Sequence, residues 1–116
     1  MNTCPSLVKA AIVVIICSSF SMASAMDTDA AKSLAKRNNC FKCHAVDKAK
    51  DGPAYQTIAG KYRDDADAEN KLLEHLTSGH LVVFPDGHEE EHKIVKTIPA
   101  KDTEQVKNLV QWVLSH

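Results

Sequence analysis

No apolar run in this 116-residue chain approaches the roughly 20 residues needed to cross a bilayer; the longest, Ala10–Cys17, is far shorter. Nor is there an excess of one charge. Fourteen Lys and Arg face 15 Asp and Glu, and a net charge of −1 gives no reason to expect a nucleic-acid partner. Aromatic residues make up only 5% of the chain, so a large aromatic core is excluded. Length excludes a large enzyme with separate cofactor and substrate domains. Methionine is absent after Met26. Cysteine occurs four times, which suggests two disulfides until the positions are read.

Residues 1–25 have the pattern of an export signal. Lys9 is the only charge before Asp27, the apolar run follows it, and small polar residues lead to Ala23-Ser24-Ala25, an A-x-A cleavage site. Cleavage after Ala25 is expected, leaving residues 26–116 as one domain. A retained anchor is the alternative, and it would be the chain's sole tie to a membrane. Lipoprotein processing at Cys17 is disfavoured by bulky Ile15 and Ile16 before it. Cleavage removes Cys4 and Cys17, so the mature chain keeps only Cys40 and Cys43. An exported chain meets an oxidising, periplasmic compartment. A domain this small also needs some staple.

The mature chain reads as mostly helical. Residues 27–39 form an amphipathic pattern that Asp27 or Asp29 can cap and Asn38-Asn39 can end. A polar loop over 45–53 closes at Gly52-Pro53, and 54–62 suggests a short helix. From about Asp67 to Ser78, Leu72, Leu73 and Leu76 make a narrow stripe, with Gly79 as C-cap. The last helix has Asp102 as cap and Gln105 three residues on, then Val106, Leu109, Val110, Val113 and Leu114 at helical spacing. Residues 80–95 differ: Pro85-Asp86-Gly87 is a turn signal between two runs. A hairpin there would set Phe84 near His88 and His80 near His92. These few apolar residues cannot bury much surface around one another, and a large apolar cofactor among them would solve that problem.

Cys40-Phe41-Lys42-Cys43-His44 is C-x-x-C-H, the attachment pattern for c-type haem. Two cysteines three apart can each form a thioether with one vinyl group of the porphyrin. The histidine after the second then sits beneath the iron as an axial ligand. A thiol–disulfide motif would need a βαβ setting, which is missing. A zinc or copper site would need further ligands, which His80, His88 and His92 could supply.

With these residues in view, the mature chain resembles the small monohaem class I cytochromes c of bacterial periplasms, over nearly all of residues 26–116. The similarity rests on the helix running into CFKCH, on Asp51-Gly52-Pro53-Ala54-Tyr55, on the Leu-rich helix ending Ser78-Gly79, and on Leu109–Ser115. It implies an all-α class I fold, three to four short helices around one covalent haem c held by Cys40 and Cys43, here with a β-hairpin inserted at about 80–95. It implies that the Pro53 carbonyl accepts the Nδ1–H of His44, the proximal ligand, and that Leu34 and the last helix form the family's terminal helix pair.

One feature of the resemblance fails. The family's usual second ligand is a Met before the last helix, and this chain has none after Met26. The His- and Glu-rich hairpin stands in its place. The sixth position then falls to a hairpin histidine, to Lys96, or to an open site. His92 is favoured, being followed by Ile94 and Val95, which could pack over the haem edge. His80 or His88 comes next. His75, among Lys71, Glu74 and Ser78, reads as solvated, and the terminal His116 as frayed. Val82, Val83 and Phe84 fit either a haem pocket or hairpin packing. Glu89-Glu90-Glu91 is a solvated face or a docking patch for a basic partner.

The expected function is a periplasmic electron carrier, not an enzyme, serving redox proteins that the sequence does not identify. An open sixth site would instead indicate a gas-binding sensor or peroxidase-like haem protein.

Overall fold

A computed structural model describes residues 25–116 of the chain, so the export-signal reading of residues 1–24 lies outside the described residues. Helix α1 spans Thr28–Arg37, α2 Tyr55–Tyr62, α3 Ala68–Ser78 and α4 Thr103–Leu114; strands β1 (Leu81–Val83) and β2 (Glu89–Glu91) lie between α3 and α4. A single 3-10 turn, Cys40–Lys42, follows α1. The helical reading with an inserted hairpin is therefore observed. Among the described residues no helix is long and apolar enough to cross a membrane.

Local chemistry sets the boundaries. Asp27 caps α1 by accepting from the Ala30 N–H. Asn38 closes it, and Asn39 takes the left-handed conformation (φ 58°), which asparagine tolerates better than most residues. That left-handed step turns the chain so that Cys40–Lys42 starts a new turn. Gly79 ends α3 at φ 72°, a value that favours glycine. Asp102 accepts from the backbone N–H of Glu104 and Gln105, and the Gln105 amide reaches back to the Asp102 carboxylate.

The core gathers where α1 crosses α4. Ala31, Leu34 and Ala35 from α1 meet Leu109, Trp112 and Val113 from α4, with Tyr55 of α2 closing the cluster. Leu34 thus joins the terminal helix pair that the resemblance implied. Two asparagines reinforce this frame. Asn108 of α4 holds both backbone groups of Asp27 at 2.8 Å. Asn38 accepts from the Lys96 N–H at 2.8 Å and donates to its carbonyl at 3.0 Å.

The hairpin is short. Leu81 pairs with Glu91, Val82 with Glu90 and Val83 with Glu89. Beyond the strands the His92 N–H donates to the His80 carbonyl at 2.8 Å, and at the tip the Phe84 ring stacks on His88 with centroids 4.3 Å apart. Both expected pairings are present. Phe84 packs on the tip, whereas Val83 is 68% exposed, and neither lines the interior cleft that holds His44 and His92. Past His92 the chain is irregular. Val95 turns inward and donates to the Leu76 carbonyl, whereas Ile94 remains 52% exposed. Only one of that apolar pair therefore covers the interior.

Candidate functional site

The first half of the site is built by the turn after α1. The N–H groups of Cys43 and His44 both donate to the Cys40 carbonyl, which closes the C-x-x-C segment into one turn. Both cysteines are unpaired and half-buried. Burial pushes the Cys40 thiol up, so it is a neutral thiol. The loop over 45–53 folds back on the turn: the Gly52 N–H donates to the Cys43 carbonyl at 2.7 Å, and the Tyr55 N–H to that of Ala45 at 2.9 Å.

This return brings Pro53 to His44. The His44 Nδ1 lies 2.7 Å from the Pro53 carbonyl oxygen. A carbonyl only accepts, so Nδ1 carries the proton and Nε2 keeps its lone pair free for a metal. Tyr55, stacked on the His44 ring at 5.4 Å, backs it from the core side. Gly52 makes the approach possible. A Cβ there would stand 2.5 Å from Cε1, 2.8 Å from Nδ1 and 2.9 Å from Nε2 of His44.

The second half comes from α3 and the chain after β2. His44, Ile58, Leu72, His75, Leu76, His92, Val110 and Val113 line one partly open cleft with mostly apolar walls. The His44 and His92 ring centroids are 6.2 Å apart. The His92 Nδ1 is 3.0 Å from the Lys93 carbonyl, so it too donates, leaving its Nε2 lone pair free. Burial pulls the His92 pKa down, which keeps the ring neutral.

The other sequence candidates fall outside the cleft. His88 is exposed and bonded to Asp86, which raises its pKa, with Glu90 on its other nitrogen at 3.5 Å. His80 is exposed, its Nε2 3.7 Å from Glu74. Lys96 is exposed, and its backbone is tied to Asn38. Among the described residues no three His, Cys, Asp or Glu side chains gather in a way that could hold a metal ion by themselves, which removes support from the zinc or copper reading.

Two histidines need correction. His75 is not solvated: it lines the cleft, 4.5 Å from the His92 ring, and burial lowers its pKa to about 4, with the neighbouring imidazoles adding to the shift. One helical turn separates it from Leu72 and one residue from Leu76, so the apolar stripe it borders could have signalled its inward lean. His116 is not frayed. Its ring stacks on Tyr55 at 6.2 Å and sits edge-on to Trp112 at 4.9 Å.

Two nearby half-buried thiols, two imidazoles with Nδ1 tied to backbone carbonyls and an apolar cleft that both rings line suit a porphyrin iron, with thioether bonds on one edge. This donor set and fold define the class as small cytochromes with covalent haem. The cytochrome c family model matches residues 28–116, and the chain belongs to that family. The crystal structure of the class 1 cytochrome MtoD from Sideroxydans lithotrophicus ES-1 superposes with a TM-score of 0.73 at 63% identity, over 78% of this chain and 97% of that one. That of Nitrosomonas europaea cytochrome c552 gives 0.58 at 31% identity, over 72% and 96%. Among curated relatives, cytochrome c-551 of Allochromatium vinosum is 34% identical over 87 residues, covering 70% of this chain and 80% of its own. The family carries one covalent haem c on a C-x-x-C-H motif, which Cys40, Cys43 and His44 supply here. Like its relatives the chain is an electron-carrier cytochrome rather than an enzyme.

Proposed function

We propose that the protein is an exported, periplasmic one-electron carrier whose haem iron is held by His44 and His92. One observation carries the ligand assignment: both rings tie Nδ1 to a backbone carbonyl and their centroids lie 6.2 Å apart in one cleft. A metal–imidazole bond is about 2.0 Å and a ring nitrogen lies about 1.1 Å from its centroid, so two imidazoles on opposite sides of one iron stand about 6 Å apart. When bound, the haem supplies a ferric–ferrous couple.

The residues around it have separate tasks. Cys40 and Cys43 hold the porphyrin edge covalently, which retains it in a domain too small to enclose it. Pro53 fixes the His44 tautomer and ring plane, and the Lys93 carbonyl does the same for His92. Ile58, Leu72, Leu76 and Val110 exclude water from the ligated faces. Ligands held by backbone leave little to rearrange when the charge on iron changes. Export rests on the pattern of residues 1–25, with cleavage after Ala25.

The first test is the visible spectrum of the haem-loaded protein, with and without CO. A low-spin spectrum unmoved by CO is expected. In His92→Ala a high-spin, CO-binding protein is expected, whereas His75→Ala keeps the parent spectrum. The reverse pattern would transfer the ligand role to His75, and immediate CO binding by the parent would replace the carrier reading with gas binding. Without a thioether on iron the reduction potential should lie below that of His/Met relatives; a potential as high as theirs overturns the His44–His92 pair.

A further inference from the structure

We propose that one face of the β1–β2 hairpin is the docking surface for a redox partner with a basic face, an inference that rests on the carrier reading above. Directly opposed residues of an antiparallel pair share a face, so Leu81, Val83, Glu89 and Glu91 stand together and Val82 and Glu90 point the other way. Leu81 is 67% exposed and Val83 68% exposed, and both are flanked by exposed carboxylates. Ile94, 52% exposed, extends the patch: it and the Glu91 carboxylate both lie beside Gly79.

An isolated two-stranded ribbon gains nothing from presenting two β-branched or branched apolar side chains to water. Packing explains Val82, which is half-buried, but not Leu81 or Val83. An apolar centre rimmed by charge is the usual make-up of a transient protein contact. The sign of the rim identifies the partner. Between His80 and His92 the chain has Asp86, Glu89, Glu90 and Glu91 and no Lys or Arg; elsewhere basic residues outnumber acidic ones. The next cations, Lys93 and Lys96, come only after the strand has ended. His88 pairs with Asp86 and Glu90 and His80 lies 3.7 Å from Glu74, so the carboxylates left to the rim of this face are Glu89 and Glu91. The position suits the task. Glu91 precedes His92, whose ring lines the cleft, and Leu81 follows His80, whose carbonyl receives the His92 N–H. A partner seated here touches the strand that ends one residue before the proposed sixth ligand.

The test uses haem-loaded protein and horse cytochrome c, a basic redox protein, as probe. The rate at which the reduced protein passes one electron to the ferric probe is followed from about 10 to 200 mM salt, a range over which screening shortens from about 30 to under 10 Å. Expected is a rate that falls with salt. Glu89→Gln/Glu91→Gln should slow it roughly threefold or more at low salt and flatten the salt dependence. Leu81→Ser/Val83→Ser should slow it at every salt concentration without changing the slope. Asp47→Asn/Asp64→Asn, which removes the same charge from exposed sites elsewhere, should change neither. Amide shifts in the labelled protein titrated with the probe should centre on Leu81–Glu91. Parental rates in both hairpin variants, an equal effect from the Asp pair, or shifts centred elsewhere would overturn the docking face. Reversible reduction of every variant by a small chemical reductant tests the carrier reading itself, independently of this surface.

Discussion

At Gly52 a single hydrogen separates the loop from the His44 ring, because any Cβ would fall within 2.9 Å of three ring atoms. Gly52→Ala should therefore push the imidazole off its line to the Pro53 carbonyl and weaken its hold on iron. A weaker bond loses to protonation sooner, so the acid loss of the low-spin spectrum is expected at higher pH than in the parent. An unchanged acid transition would mean that the loop, not the ring, gives way. The sequence showed Gly52-Pro53 as a loop closure and the family resemblance implied Pro53 as the histidine's partner, but neither gave the reason for glycine. Cys40, Cys43 and His44 were legible because their chemistry demands adjacency in sequence. His92 stood out because the apolar pair Ile94 and Val95 follows it, although only Val95 turns inward. His75 was misread because its own helix shows it beside charged residues, and only the fold brings His92 to 4.5 Å from it. Asn38 and Asn108 carried no signal at all: each clamps a backbone far along the chain, at Lys96 and Asp27.

Among the elements, α4 has the best-determined start, and its cap makes a pH prediction. The side-chain amide of Gln105, and then the backbone N–H groups, hold the Asp102 carboxyl below its usual range. A group depressed in the folded state adds stability above its unfolded value and loses it as pH falls through the folded one. Asp102→Asn keeps an acceptor at the cap but gives up the charge beside the helix N-terminus. It should melt a few degrees below the parent at neutral pH, and the gap should close as pH drops below the ordinary Asp value of about 3.9. A gap that persists in acid would assign the cap's effect to geometry rather than charge. The helices were legible as elements because caps, stripes and stop signals are local. The strands were legible in outline only. Pro85-Asp86-Gly87 marked the turn, yet the return strand ends at Glu91, because beyond it the chain bonds to Leu76 and Asn38 instead of to β1.

Across the whole molecule the packing is lopsided. Side chains from α1, α2 and α4 fill one another's gaps around Leu34, Leu109 and Trp112, and this part needs nothing from outside the chain. The other side of α4, with Leu72, Leu76, Ile58 and the three cleft histidines, borders a partly open apolar cleft. A domain this short buries only about 60% of its unfolded surface even when complete. Anything that binds only the folded state adds to its stability, and a covalent group in that cleft does so without dissociating. The full chain carrying Cys40→Ala/Cys43→Ala, which cannot be cross-linked to haem, should therefore lose its cooperative melt while keeping part of its helical signal. Its residual order should be uneven. Amide exchange should be slowest in α1 and α4, where buried leucines and Trp112 meet, and fastest in α3 and the hairpin, whose inner side faces the cleft. A sharp thermal transition near that of the haem-loaded parent would show that the polypeptide fills the cleft by itself. Uniform protection across all four helices would show that α3 docks on α4 without a group between them. The expected gradient would instead make haem attachment the step that brings His75 and His92 to face His44.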